Sequence, residues 1–213
     1  MMKRNRGLKL EANQLSDQYD SLDDNLESLI ITVEQDEGTW DGQDLPILPN
    51  LKRITYVSEE YDLENDSNFI FQILRMAPNL EELDYTYASN ELGDEFLKFL
   101  TEHTPRLQSL RVWSSDGSTP QAAQFTDDAI INLLSKVKLR HLMCFPICQL
   151  SGELFAKLGD YGTELETLRL IRASFEDTLV DQVNLVFGGK PMPKLKKFTF
   201  ASYWKIENVE EFV

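Results

Sequence analysis

The chain has 213 residues, 36 acidic and 21 basic, for a formal net charge of −15. That balance excludes nucleic acid or an anionic membrane as the main partner, because both need a basic footprint. A hydrophobic fraction of 42% excludes a disordered chain, and two cysteines, Cys144 and Cys148, exclude a disulfide framework. With only His103 and His141 beside them, no metal quartet can be assembled, so neither metal nor cofactor is expected.

Residues 1–24 read as an N-terminal extension or cap. Lys3, Arg4, Arg6 and Lys9 stand there without the apolar stretch of a signal peptide, and a short helix is expected over Leu15–Leu22. No run in the chain has the length and apolarity of a membrane span, so a cytoplasmic or nuclear protein is expected.

From Leu26 a pattern L-x-x-L-x-L begins: Leu26, Leu29 and Ile31, in a stretch rich in β-branched residues. The segment after it, 36–50, holds Gly38, Gly42, Pro46 and Pro49 and reads as an irregular loop. The pattern returns at Leu51/Ile54/Tyr56, followed by a helical face of Phe69, Ile70, Ile73 and Leu74 over 67–76. Ala77-Pro78-Asn79 ends that helix, since the residue before proline is pushed out of helical geometry. The third copy, Leu80/Leu83/Tyr85, is followed by a helix over 91–103 and a stop at Thr104-Pro105.

The fourth copy, Leu107/Leu110/Val112, carries an inserted loop over 114–124. Thr126 then reads as an N-cap, with Asp127 and Asp128 in the first turn, where carboxylates favour the helix dipole. The fifth copy, Leu139/Leu142/Cys144, precedes a helix capped by Ser151 and closed near Gly159–Gly162. The sixth, Leu165/Leu168/Leu170, precedes a helix over 176–187 and the breaker Gly188-Gly189-Lys190-Pro191. The seventh, Leu195/Phe198/Phe200, leaves residues 205–213 as a C-terminal cap or truncated repeat.

Seven copies, spaced by 25, 29, 27, 32, 26 and 30 residues, make a leucine-rich-repeat array over 25–204. Periods this long leave room for a helix in each unit. The expected fold is α/β: a curved solenoid of about seven repeats, with a parallel sheet on the concave face and helices on the convex face.

Two stretches, 92–112 (LGDEFLKFLTEHTPRLQSLRV) and 125–144 (FTDDAIINLLSKVKLRHLMC), resemble the leucine-rich repeats of F-box proteins. In that family I-T-D-x-x-L opens the helix and C-P-x-L-x-x-L-x-L ends it and starts the next strand. Thr126-Asp127 matches the T-D. Ala77-Pro78-Asn79-Leu80 and Thr104-Pro105-Arg106-Leu107 match C-P-x-L with the cysteine replaced. The resemblance covers roughly residues 25–202 and points to ribonuclease-inhibitor-like repeats. The sequence shows no F-box, since Leu45-Pro46 is not followed by its helical pattern. What the resemblance implies is a substrate-recognition solenoid of an SCF-type ubiquitin-ligase pathway.

Side chains alternate along a strand, so the third, fifth and seventh positions of each copy should face the concave side. Neighbouring strands stand about 4.8 Å apart, which should align Trp113, Phe145 and Ile171 as an apolar stripe. Beside it fall Met143, Arg111, Arg169 and His141, with Arg53 further along. Aromatic, Met and Arg enrichment marks the cores of protein interfaces, so these eight residues are the candidate partner-binding site. The alternative is that Trp113 tucks against the 114–124 insertion or that a terminal loop covers the stripe. Arg111 and Arg169 could instead clamp a phosphate or carboxylate.

Nothing points to catalysis. Gly188-Gly189-Lys190-Pro191 lacks the spacing and the Ser/Thr of a phosphate loop, and there is no G-x-S-x-G or H-E-x-x-H. His141 and Cys144, three residues apart on one strand, should point to opposite faces. The expected function is non-catalytic binding of a protein. The alternative is regulation of an enzyme, in the manner of Ran GTPase-activating or ribonuclease-inhibitor solenoids. A third reading takes the chain as part of a longer solenoid, since only 206–213 remain to cover the last parallel edge.

Overall fold

A computed structural model describes residues 7–11, 22, 24–33, 46–58, 63–87, 92–114, 125–145, 153–171, 190, 192–202 and 205–210. In chain order they form β1 (Gly7–Glu11), β2 (Ser28–Val33), β3 (Arg53–Ser58), α1 (Leu63–Met76), β4 (Glu82–Tyr87), α2 (Asp94–His103) and β5 (Ser109–Ser114). Then follow α3 (Asp127–Lys136), β6 (His141–Phe145), α4 (Glu153–Tyr161), β7 (Thr167–Ile171), β8 (Lys197–Ser202) and β9 (Lys205–Glu210). All nine strands share one sheet whose spatial order is the sequence order. β1 to β8 are parallel and β9 pairs antiparallel with β8. This is an α/β, leucine-rich-repeat-like solenoid.

The leucine positions explain the layering. Leu29, Ile54, Leu83, Leu110, Leu142, Leu168 and Phe198 are successive partners across the sheet, and all are buried. So are Ile31, Tyr56, Tyr85, Val112, Cys144 and Leu170 in the parallel row beside them. From the helices come Ile70, Ile73, Leu74, Phe96, Leu97, Leu100, Ile130, Leu133, Leu154, Phe155 and Leu158 into the same core. An aromatic run links repeats inside it: Tyr56 to Tyr85 at 5.2 Å, Tyr85 to Phe96 at 5.4 Å and Phe96 to Phe125 at 6.4 Å between ring centroids.

Backbone bonds lock one repeat to the next. The carbonyl of the second motif residue (Glu27, Lys52, Glu81, Gln108, Arg140 or Glu166) accepts from two successive N–H groups of the following repeat, at 2.7–3.1 Å. Before β3, β4, β5, β7 and β8 a tight turn brings the first leucine's N–H to the carbonyl three residues back, as in Leu51 to Leu48, Leu80 to Ala77 and Leu107 to Thr104, each at 3.1 Å, while before β6 the Leu139 N–H reaches the Val137 carbonyl at 2.9 Å. Pro49, Pro78, Pro105 and Pro193 hold the second position of such turns, where a fixed φ suits the geometry. Asn50 Nδ2 donates to the Asp24 carbonyl at 2.6 Å and Asn79 Nδ2 to that of Pro49 at 2.8 Å, so the turns also stack.

The T-D pair has a physical role. Thr126 Oγ1 accepts from the Ala129 N–H at 3.3 Å, capping α3, and donates to Asp94 of the preceding helix at 2.7 Å. Asp127 Oδ2 accepts from the Leu154 N–H of the following helix at 2.9 Å. Helix starts are thereby chained as the strands are. At the end of α4, Gly162 has no room for a side chain: a Cβ would stand 2.9 Å from the Leu158 carbonyl oxygen.

Helices α1 and α2 end at Met76 and His103, where the prolines place their stops, but α1 begins at Leu63 rather than 67 and α2 at Asp94 rather than 91; α3 has the expected Thr126 cap. The expected helices over Leu15–Leu22 and 176–187, and the Ser151 cap, lie outside the described residues, Leu22 excepted, which is buried. Two strands are additions. β1 falls in the segment read as an extension, with Leu8 and Leu10 paired to Leu29 and Ile31. They occupy the fourth and sixth motif positions, but Asn5 stands where the first leucine would be, which hides the copy. β9 turns back on β8 and covers the parallel edge with a hairpin.

Charges along the rim of the sheet alternate between repeats. Lys52 pairs with Glu81 at 3.0 Å, while Glu166 pairs with Arg140 at 3.2 Å and Lys196 at 2.8 Å. Lys194 pairs with Glu164 at 2.6 Å, and Lys190 with Asp160. The hydrogen bond from Lys194, with charge from Lys194, Lys138 and Arg140, holds the Glu164 carboxyl below the usual range. Lys196, then Arg140 and His141, do the same to Glu166.

Two predictions follow from this packing. Leu142→Ala, at a buried position, should cost about 2–5 kcal/mol in urea unfolding. Ile30→Ala, at a position 37% exposed, should cost no more than about 1 kcal/mol. Equal losses would refute the assignment of faces. For the rim, a carboxyl whose folded pKa is depressed adds stability above its unfolded pKa of about 4.3, lost as pH falls through the folded value. Wild type should therefore exceed Glu164→Gln/Glu166→Gln in melting temperature at pH 7, and the gap should close below about pH 4. A gap that widened on acidification would contradict the pairing.

Candidate functional site

On the side of the sheet away from the helices, the register sets three rows. The first runs Arg53, Glu82, Ser109, His141, Thr167, Lys197 and the second Thr55, Asp84, Arg111, Met143, Arg169, Thr199. The third runs Val57, Thr86, Trp113, Phe145. Arg53, Arg111, His141 and Arg169 are exposed, and Trp113 and Met143 half-buried. These side chains share the open face because each is an odd-numbered motif position, opposite in pleat to the leucines.

Met143 stands between Arg111 and Arg169, as the sequence spacing requires. The two arginines are two strands apart, roughly 10 Å. Arg111 is already engaged: its Nη1 donates to Asp84 Oδ2 at 3.2 Å, and its guanidinium carbon lies 5.5 Å from the centre of the Trp113 ring. An exposed ion pair of this kind is worth up to about 1 kcal/mol and a cation–π contact about 0.5–1 kcal/mol. An anion shared by Arg111 and Arg169 would meet one guanidinium whose charge Asp84 already offsets. Arg169, by contrast, forms no ion pair among the described residues.

Asp84 is the residue that the sequence reading left out of the site. Its signal was present, since Asp84 and Arg111 both occupy the fifth motif position of consecutive repeats. The expected stripe is in register from Trp113 to Phe145, but the β6–β7 ladder ends at Cys144–Leu170, and Ile171 is opposite Ala201 in β8. The side chains of Phe145 and Ile171 lie outside the described residues. Arg53 is in the first row, opposite Glu82 and two strands from Arg111's strand, so it stands apart from the cluster.

His141 is exposed and Cys144 buried, on opposite faces of β6. Burial pushes the Cys144 thiol up to about 12, so it stays protonated and unreactive. Cys148 lies outside the described residues. Among the described residues no group of His, Cys, Asp and Glu could hold a metal ion, and no helix is long and apolar enough to cross a membrane.

No protein-family model matches the chain, and comparison with curated proteins returns no match. The repeat architecture thus stands on the leucine pattern and the sheet itself.

In a Cys148→Ser chain, Cys144 should resist a water-soluble disulfide reagent under native conditions and react fully in denaturant. Rapid native labelling would mean that the β6 core is not closed around it.

Proposed function

We propose that this chain is a non-catalytic binding module that holds a protein partner on the open face of β5–β7. One observation supports this above the others. The register sets Trp113, braced by Arg111 and Asp84, beside Met143 and Arg169 on accessible positions, while the leucines opposite are buried. Aromatic, methionine and arginine side chains are enriched at interface cores, and the Trp113 ring, with few rotatable bonds and Arg111 against it, has little conformational entropy to lose on docking. Held by strands rather than loops, they present a fixed pattern to a partner.

The role proposed for the module is substrate recognition in an SCF-type ubiquitin-ligase pathway, in the cytoplasm or nucleus. This rests on the resemblance to F-box repeat proteins. It is supported by Thr126-Asp127, whose side chains cap one helix and bridge to its neighbours.

The test compares wild type with Trp113→Ala/Arg169→Ala as bait in cell lysate, with bound proteins identified by mass spectrometry. Arg169 is exposed and Trp113 half-buried, so the variant is compared only after circular dichroism and a cooperative urea transition show that it is folded. Partners lost by the folded variant place binding on this face. Ligase adaptors and degradation clients among them support the pathway, whereas one enzyme whose turnover changes favours a regulator. If both baits retain the same partners, the open face is not where binding occurs.

A further inference from the structure

We infer that the open face of β5–β7 takes an extended acidic segment of its protein partner, with a carboxylate on Arg169 and an apolar side chain against Met143 and Trp113. The inference rests on the binding role proposed above and specifies the chemistry of what is bound.

It starts from how charge is distributed over the open face. In β1–β4 the odd motif positions include Glu11, Glu82 and Asp84. In β5–β8 the same positions hold no Asp or Glu at all, in a chain with 36 acidic residues. The cations of that half are not equivalent. Arg111 is neutralised by Asp84, and Lys197 stands opposite Glu210 in the β8–β9 register. Arg169 has Met143 and Thr199 as its register neighbours and forms no ion pair among the described residues. It is an exposed guanidinium with no charged register neighbour among the described residues, and the Thr167 hydroxyl and the His141 ring lie one register row away.

A guanidinium prefers a carboxylate, which it can grip through two parallel N–H donors. Trp113 and Met143 offer apolar surface on the two neighbouring strands. From Arg169 to the strand of Trp113 is about 10 Å, the length of roughly three residues of extended peptide. The fitting segment therefore has an acidic residue and a large apolar residue about three positions apart. The acidic body of the protein does not forbid this, because physiological salt screens charges beyond about 8 Å. A nucleic acid, by contrast, would bring a long run of phosphates against a net charge of −15.

The test is selection of twelve-residue peptides from a random phage-displayed library on the intact chain, repeated on Arg169→Glu and Trp113→Ala. Wild type should enrich peptides carrying Asp or Glu about three residues from Leu, Phe or Trp. Arg169→Glu should bind those peptides at least about tenfold more weakly by fluorescence anisotropy, and its own selection should favour Lys or Arg at the acidic position. Peptides without an acidic residue, equal binding by wild type and Arg169→Glu, or no enrichment at all would each overturn the inference. If Trp113→Ala alone abolishes binding of non-acidic peptides, the open face still binds and only the acidic chemistry fails. If neither substitution changes the peptides selected, the binding face itself is misplaced. A fluorescent single-stranded DNA that binds wild type and is lost in Arg169→Glu would also overturn it, by assigning the arginine to phosphate.

Discussion

The structure depends on a register without slip from repeat to repeat. One carbonyl at the start of each strand accepts two N–H groups of the next, from Glu27 to Glu166. Because side chains alternate in a strand, a shift of one residue would move every leucine to solvent and every polar partner into the core. The doubled acceptor and the turn before it prevent that shift at the point where each strand begins. A row such as Leu83, Leu110, Leu142 and Leu168 then stacks like on like, and each buried leucine contributes about 1.5–3 kcal/mol of transfer free energy.

Around this ladder the repeats are joined by polar links that repeat at the same places. Asp94 holds Thr126, and Asp127 holds the N–H of Leu154. Asn50 and Asn79 tie turn to turn. Lysines and glutamates alternate on the rim, where exposed pairs add little stability singly but make like-charge neighbours rare. The hydrophobic stack supplies the energy, and these links select its spacing. The hairpin of β8 and β9 then ends the row with an antiparallel strand in place of a bare parallel edge.

The same register that closes the core makes the open face a pattern rather than a scatter of surface residues. Trp113 is held by Arg111, which is held by Asp84, so the pairing of two adjacent strands is converted into one oriented aromatic ring. Arg169 sits beyond Met143 with no such brace from the described residues. The proposed binding role rests on this pairing of a braced aromatic ring with a guanidinium that has no ion pair among the described residues. The pairing is built without any departure from the repeat rule.

The amino-acid sequence alone determined the α/β repeat architecture, the core rows and the helix boundaries at Met76 and His103. Those follow from local periodicity and from proline, which act over a few residues. It also determined which residues could share the open face, since alternation is a property of one strand. It did not reveal β1, where Leu8-Lys9-Leu10 lacks its first leucine, or β9, whose residues have no frame of their own and pair only because β8 presents an edge. The state of each charge was decided by tertiary structure. Arg111 and Arg169 occupy the same motif position, and nothing local distinguishes them. Only the neighbouring strands do: Met143 lies between the two arginines, but the other neighbour is Asp84 for Arg111 and Thr199 for Arg169, a difference of Coulomb energy set across 27 residues of chain in one case and 30 in the other.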